Sequence, residues 1–300
     1  MSRVSQLAQQ TQTLSNILNA QKRIQDTEIQ ISSGYKSQTF TGISSEASRL
    51  VSLEGLRTRF DQLEKNNTLI EARLERMDQS VATIFDAVSE LRNLVIQRIN
   101  AASGDSVPLA AVAQNLLDVV AGQLNAKANG RFLFSGTQTN TAAVTIPVPD
   151  PTTFGVPEAN YYQGNTTELS VRIDDTITIA YGMTADRTAF QESIAAMKAA
   201  IQGDATNNST LLTTALTLAE SALASLAGFR AEIGSDLSTI ERAKQRNQDF
   251  ILFVEQSISE IQNVDIPSAI TQLMADQTIL QASFLSVARV GNLSLVNFLK

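Results

Sequence analysis

The sequence predicts a mainly α protein, a long antiparallel helical coiled-coil bundle built from both chain ends with a small β-rich insertion in the middle. Three observations predict it. Apolar residues recur by sevens over two long segments, Leu56 to Leu91 and Leu212 to Ile261. Strand and turn signals are confined to about Arg131 to Arg187. The two termini also match in character. Arg3 is the only charged residue from Met1 to Gln21, and Asp276, Arg289 and Lys300 are the only ones from Ile266 to Lys300.

At the N-terminus, steps of three and four pick out Leu7, Leu14, Ile17, Ile24 and Ile31 as a helical stripe. Ser33-Gly34 ends that helix, and Thr39 to Ser45 reads as a loop before the next helix start. Leu56, Leu63, Ile70, Met77, Ile84 and Leu91 then form one heptad line. Phe60, Leu74, Val81, Val88 and Val95 fill its companion, interrupted by Asn67. A third helix follows Pro108, which suits a first turn, and Asn129-Gly130 is a natural helix stop. Arg131 to Ser135 reads as a strand with Phe132 and Phe134 on one face. Leu169, Val171 and Ile173 alternate, Asp174-Asp175 turns, and Ile177, Ile179 and Tyr181 alternate again, which is a hairpin pattern. This insertion is expected at the far end of the helical stalk.

The return arm carries Leu212, Ala219, Leu226, Ile233, Ile240, Val254 and Ile261 at heptad spacing, with Asn247 inside the series. Asn67 and Asn247 each cost seam packing and can fix register, so leucine at either position is expected to stabilise. Asp265 and Pro267 open the last helix, whose stripe runs through Ile266, Ile270, Leu273, Leu280, Phe284, Val287 and Phe298. The divisions expected are 1–35, a charge-poor helix pairing with the C-terminus; 36–130, a long arm; 131–187, the β-rich insertion; 188–264, the second arm; and 265–300, a second charge-poor helix.

A heptad line serves an intramolecular bundle and an oligomeric coiled coil equally. The bundle is favoured for the inner arms. The outer helices have few charges off their seams and are poorly solvated alone, so burial against other molecules is favoured there. The candidate polymer contacts are Leu7, Leu14, Ile17, Ile24, Ile270, Leu273, Leu280, Phe284, Val287 and Phe298.

Composition excludes several function classes. The net charge of −7 comes without any cluster of Lys and Arg, which argues against nucleic acid. Neither cysteine nor histidine occurs, so disulfides, thiolate metal sites and imidazole acid–base chemistry are all missing. No uninterrupted run of 18 apolar residues predicts membrane insertion, and no basic-then-apolar signal peptide precedes the first helix. Asp174-Asp175 reads as a turn rather than an acid pair, and the Asn165 and Asn208 sequons as loop asparagines. We expect no enzyme activity, no catalytic residue, no metal and no cofactor.

Several local strings carry a family resemblance. Gln30 to Gly34 (QISSG), Leu91 to Gly104 (LRNLVIQRINAASG), Asn129 to Thr137 (NGRFLFSGT) and Leu280 to Leu299 (LQASFLSVARVGNLSLVNFL) resemble segments of bacterial flagellins and of their relatives at the hook–filament junction. NGRFLFSGT and the ending resemble the junction type more closely. FTGISSEASRLVSLE, after QISSG, departs from the family's usual helix start. The resemblance implies a structural subunit of the flagellar axial structure, exported without a cleavable signal peptide through the flagellar type III route. It would then be extracellular, polymerised through its terminal helices, and placed at the hook–filament junction. It implies as partners other copies, other hook-associated proteins, flagellin and an export chaperone. A filament flagellin is the alternative within the family. A needle-tip or translocator protein of a virulence type III system is the alternative outside it, and would lack the NGRFLFSGT string.

Overall fold

The computed structural model describes residues 2–100 and 108–298, with side chains described for 11–100 and 108–288. The described residues form six α-helices and four short strands. The helices are α1 (Ser2–Ser33), α2 (Ala47–Asn100), α3 (Leu109–Leu124), α4 (Thr188–Ala205), α5 (Ser209–Gln262) and α6 (Ile266–Phe298). The strands are β1 (Lys127–Ala128), β2 (Arg131–Phe132), β3 (Leu169–Arg172) and β4 (Thr178–Tyr181). The chain forms two compact units, Met1–Arg59 with Phe250–Lys300, and Phe60–Asp249.

The second unit is a bundle around one core. Leu74, Val81, Val88 and Val95 of α2 are fully buried, as are Ala219, Leu226 and Ile240 of α5. The two heptad lines therefore face inward, and cross-pairs fix their direction. Glu64 pairs with Gln248, Glu71 with Lys244 and Asp78 with Arg230, so numbers rise on α2 as they fall on α5. α3 and α4 complete the core with Leu109, Leu117, Val120 and Leu124 against Phe190, Met197 and Ala200. Asp204 ties the corner, its carboxylate accepting from Arg98 and from the Ala110 amide at the start of α3. Residues 188–264 are thus two helices, parted at Thr206–Asn208, where Asn207 takes a positive φ of 49°. An 18-residue window of α5 reaches the length and hydropathy of a membrane span, and the same helix carries the inward-facing heptad line of the bundle.

The hairpin reading of 169–181 holds in detail. β3 and β4 are antiparallel with Val171 opposite Ile179, and the Ile173 amide closes the turn on the Ile177 carbonyl. Its expected place at the far end of the stalk does not hold. Asn67 of α2 and Asn247 of α5 both donate from Nδ2 to the Ile173 carbonyl, at 2.9 and 3.1 Å. Arg246 pairs with Asp174 beside them. The turn is therefore latched about 33 residues, roughly 50 Å of helix, back from the Asn100 end of α2. This adds a partner to the reading of the two asparagines as seam residues that cost packing and fix register, although the Oδ1 of each stays buried without a hydrogen bond. Both are buried, and they satisfy a carbonyl that water cannot reach.

NGRFLFSGT departs from the simple reading too. α3 stops at Leu124, and Asn129-Gly130 is a hairpin turn between β1 and β2, with φ of 50° and 76°. Positive φ at both central residues is the type I′ requirement, which Asn-Gly meets at little cost. The expected strand at Arg131 to Ser135 is regular only over Arg131–Phe132, with one further backbone bond from the Leu133 amide to the Ala126 carbonyl. Leu133 and Phe134 then turn into the core, Phe134 meeting Phe190 edge-on at 5.8 Å. Gly136 has a φ of 65°, and a Cβ there would lie 2.2 Å from the Asn165 carbonyl oxygen. Asn165 is fully engaged, accepting from the Thr137 amide and donating to its hydroxyl.

Candidate assembly surface

In the first unit α1 and α6 pack along each other. The Val264 amide donates to the Gly34 carbonyl, and further along Arg23 meets Asp276, so the two helices are antiparallel. Ile17, Ala20 and Thr27 of α1 are buried and Ile24 is half-buried; on α6, Ala269 and Asp276 are buried, with Leu273, Leu280 and Ser283 half-buried. These positions step by threes and fours, the spacing of a two-helix seam. α2 and α5 contribute a second antiparallel pairing here, with Arg57 on Glu255 and Gln262 on Glu54. Lys36 donates its amide to the Gln262 carbonyl and its Nζ to the Glu260 carbonyl, holding the segment after Gly34 against α5. A cavity of about 240 Å³ opens there beside Tyr35, Phe40, Ile43 and Leu50.

Two helices alone cannot cover all the apolar surface they carry. Leu14 (58% exposed), Leu18 and Ile29 of α1 stand clear of the seam, as do Ile266, Ile270, Met274 (63%), Phe284 (50%) and Leu285 (63%) of α6. At about 100° per residue, each of these sets lies on the same rotational side of its own seam. In an antiparallel pair that places both sets on one flank of the ribbon. Polar contacts mark the other flank: Arg23 donates to Asp276 Oδ1 from Nε at 3.1 Å and from Nη2 at 2.8 Å, and Gln272 donates to Oδ2 at 3.0 Å. Gln12, Asn16 and Asn19 share that flank, as does Ile279 (51% exposed), while Gln277 and Gln281 stand among the apolar side chains of the first flank. The hydrogen bonds from Arg23 and Gln272 hold the Asp276 carboxyl below its ordinary range.

The structure distributes the ten candidate contacts over three places. Ile17, Ile24, Leu273 and Leu280 lie in the α1–α6 seam. Leu14, Ile270 and Phe284 lie on the apolar flank, and Val287 continues the line of the α6 seam while remaining exposed. The side chains of Leu7 and Phe298 lie outside those described. Sequence reasoning missed Leu18, Met274 and Leu285, which fall off the three-and-four stepping. Their signal was the absence of a charge where an exposed helix face normally carries one. Among the described residues no group of three metal-ligating side chains comes together.

The bacterial flagellin N-terminal helical region matches residues 4–139, and the flagellin C-terminal helical region matches residues 216–299. No curated protein sequence matches the chain. Three similar solved structures are a flagellar hook-associated protein from Vibrio parahaemolyticus, FlgL of Bacillus cereus and the flagellar hook-associated protein-3 of Legionella pneumophila. The first is 18% identical with a TM-score of 0.61, over 74% of this chain and 100% of that one. The second is 14% identical with a TM-score of 0.57, over 70% and 99%. The third is 13% identical with a TM-score of 0.55, over 70% and 98%. At such identities the likeness is one of fold. The two family matches add the order of the parts: an N-terminal helical region that begins with α1 and a C-terminal one that ends with α6, the two helices of the ribbon, which makes this chain a member of the bacterial flagellin family.

Proposed function

We propose that this flagellin-family subunit is exported without a cleavable signal peptide, with the help of an export chaperone, and polymerises outside the cell at the hook–filament junction through its terminal helices. The observation that carries the reading is the run of large apolar side chains that the ribbon leaves exposed. A ribbon that leaves Met274, Ile279, Phe284 and Leu285 in water is built to be covered. Neighbouring copies and adjoining axial proteins supply that cover. NGRFLFSGT and the SLVNFL ending favour the junction over the filament, while the short insertion fits either. The fold shared with hook-associated proteins agrees with this.

Deleting the gene and viewing the cells by electron microscopy tests the placement. Bare hooks with flagellin released into the medium support the junction; hooks with no flagellin in the medium mark this chain as the filament subunit. Replacing Phe284 and Leu285 together by serine tests the surface. Surface changes of this kind alter stability by about 0.5 kcal/mol or less each, so melting should hardly move while incorporation is lost. A double variant that is exported and incorporated normally would overturn the role of the flank.

A further inference from the structure

We infer that Asp276 selects the partner of α6: it is tolerated in the seam only opposite Arg23, and it bars α6 from pairing with the α6 of a second copy. The inference rests on the reading that α6 meets other copies during assembly.

Asp276 is the only ionisable residue of α6 from Ile266 to Ala288, yet its side chain is 1% exposed, on the seam rather than on a free face. A ribbon of two helices has no deep interior. The cover comes from Arg23, itself half exposed, and from Gln272 one turn away. The rest of the α6 seam is small or apolar: Ala269, Leu273, Leu280 and Ser283. Without Asp276, that stripe offers nothing to distinguish α1 from another α6. With it, a second α6 brings no cation to the described seam, so the carboxylate would lose the guanidinium that both pairs with it and covers it. When the two copies of Asp276 approach, they repel. A single polar seam residue that sacrifices some pairing strength to fix partner and register is a known device of coiled coils.

A merely stabilising ion pair makes a different prediction, which allows a test on the full chain. Asp276→Leu should leave the melting temperature undiminished, shift the purified chain from monomer towards dimer in sedimentation, and lose incorporation into the flagellum. A fall in melting temperature with the chain still monomeric overturns the inference. Arg23→Asp and Asp276→Arg should each lose incorporation, and the double swap should restore it. Singles that incorporate like the unchanged chain, or a swap no better than the singles, also overturn it. Failure of the polymer reading looks different. The unchanged chain would then be missing from the flagellum, while the Asp276→Leu dimer would still be read in solution.

Discussion

The inner bundle and the terminal ribbon are made from similar helices, yet they treat apolar side chains in opposite ways. In the bundle, α3 and α4 close over the α2–α5 pair. Heptad residues such as Val81 and Ile240 are fully buried. Among the described residues the ribbon has no such covering layer, and leucines of equal size stand more than half exposed. The difference lies in the third and fourth partners rather than in hydrophobic content. A helix pair buries one stripe per helix, and any second stripe requires another layer. In the bundle the chain supplies that layer from its own middle. In the ribbon none of the described segments supplies it.

The largest expected effect compares one truncation in each region. Phe134→Ala removes a ring packed edge-on against Phe190, and such core truncations cost about 3–5 kcal/mol. Leu18→Ala on the ribbon flank should cost about 0.5 kcal/mol or less. Chemical denaturation of the two variants measures both. Equal losses would mean that the flank is covered within the monomer, and the contrast between the regions would collapse.

Much of the bundle was legible because period is a backbone property. Lines such as Leu74, Val81, Val88 and Val95 need only the 3.6-residue turn to face inward, and Val171 and Ile179 need only the two-residue pleat. The latch was not legible. Asn67 and Asn247 break the heptad for a carbonyl that lies 106 and 74 residues away in sequence, and no local pattern encodes that distance. Asn129-Gly130 was ambiguous for another reason, since the same dipeptide ends helices and turns hairpins. On the ribbon, stepping by threes and fours found Ile17, Ile24, Leu273 and Leu280. It could not show which additional stripe would be left in water, because that depends on the direction of the partner helix.

The latch gives the second effect. Because Asn67 and Asn247 share one acceptor, replacing either by leucine leaves the Ile173 carbonyl one donor. The double variant leaves neither, and a buried orphan group costs about 1–3 kcal/mol. The double loss should therefore exceed the sum of the singles, the mark of residues in one network. Strictly additive losses, or a double variant more stable than the parent chain, would remove the latch and restore the reading of the asparagines as packing defects.

The smallest effect comes from two carboxylates whose surroundings push them in opposite directions, one in each region. In the ribbon, hydrogen bonds from Arg23 and Gln272 hold Asp276 below its ordinary 3.8. In the bundle, burial raises Asp236 above 3.8, with the nearby charges of Glu232 and Glu168 adding to the rise. The signs follow from which form the fold prefers. The stabilising contribution of ionised Asp276 is complete above pH 3.8 and is lost as pH falls through its lower folded value. Ionised Asp236 carries a penalty at neutral pH. That penalty shrinks as pH falls through its raised folded value and is gone below 3.8. Asp236→Asn should accordingly raise the melting temperature slightly at pH 7, with the gain fading towards pH 3. Asp276→Asn should weaken the α1–α6 pairing at pH 7, and its difference from the parent chain should fade only below 3.8. Melting curves for the inner bundle, paired with hydrogen exchange at the α1 and α6 amides across that range, read the two regions separately. Shifts of the same sign would show that the two carboxylates share one kind of environment, and the electrostatic half of the comparison would fail.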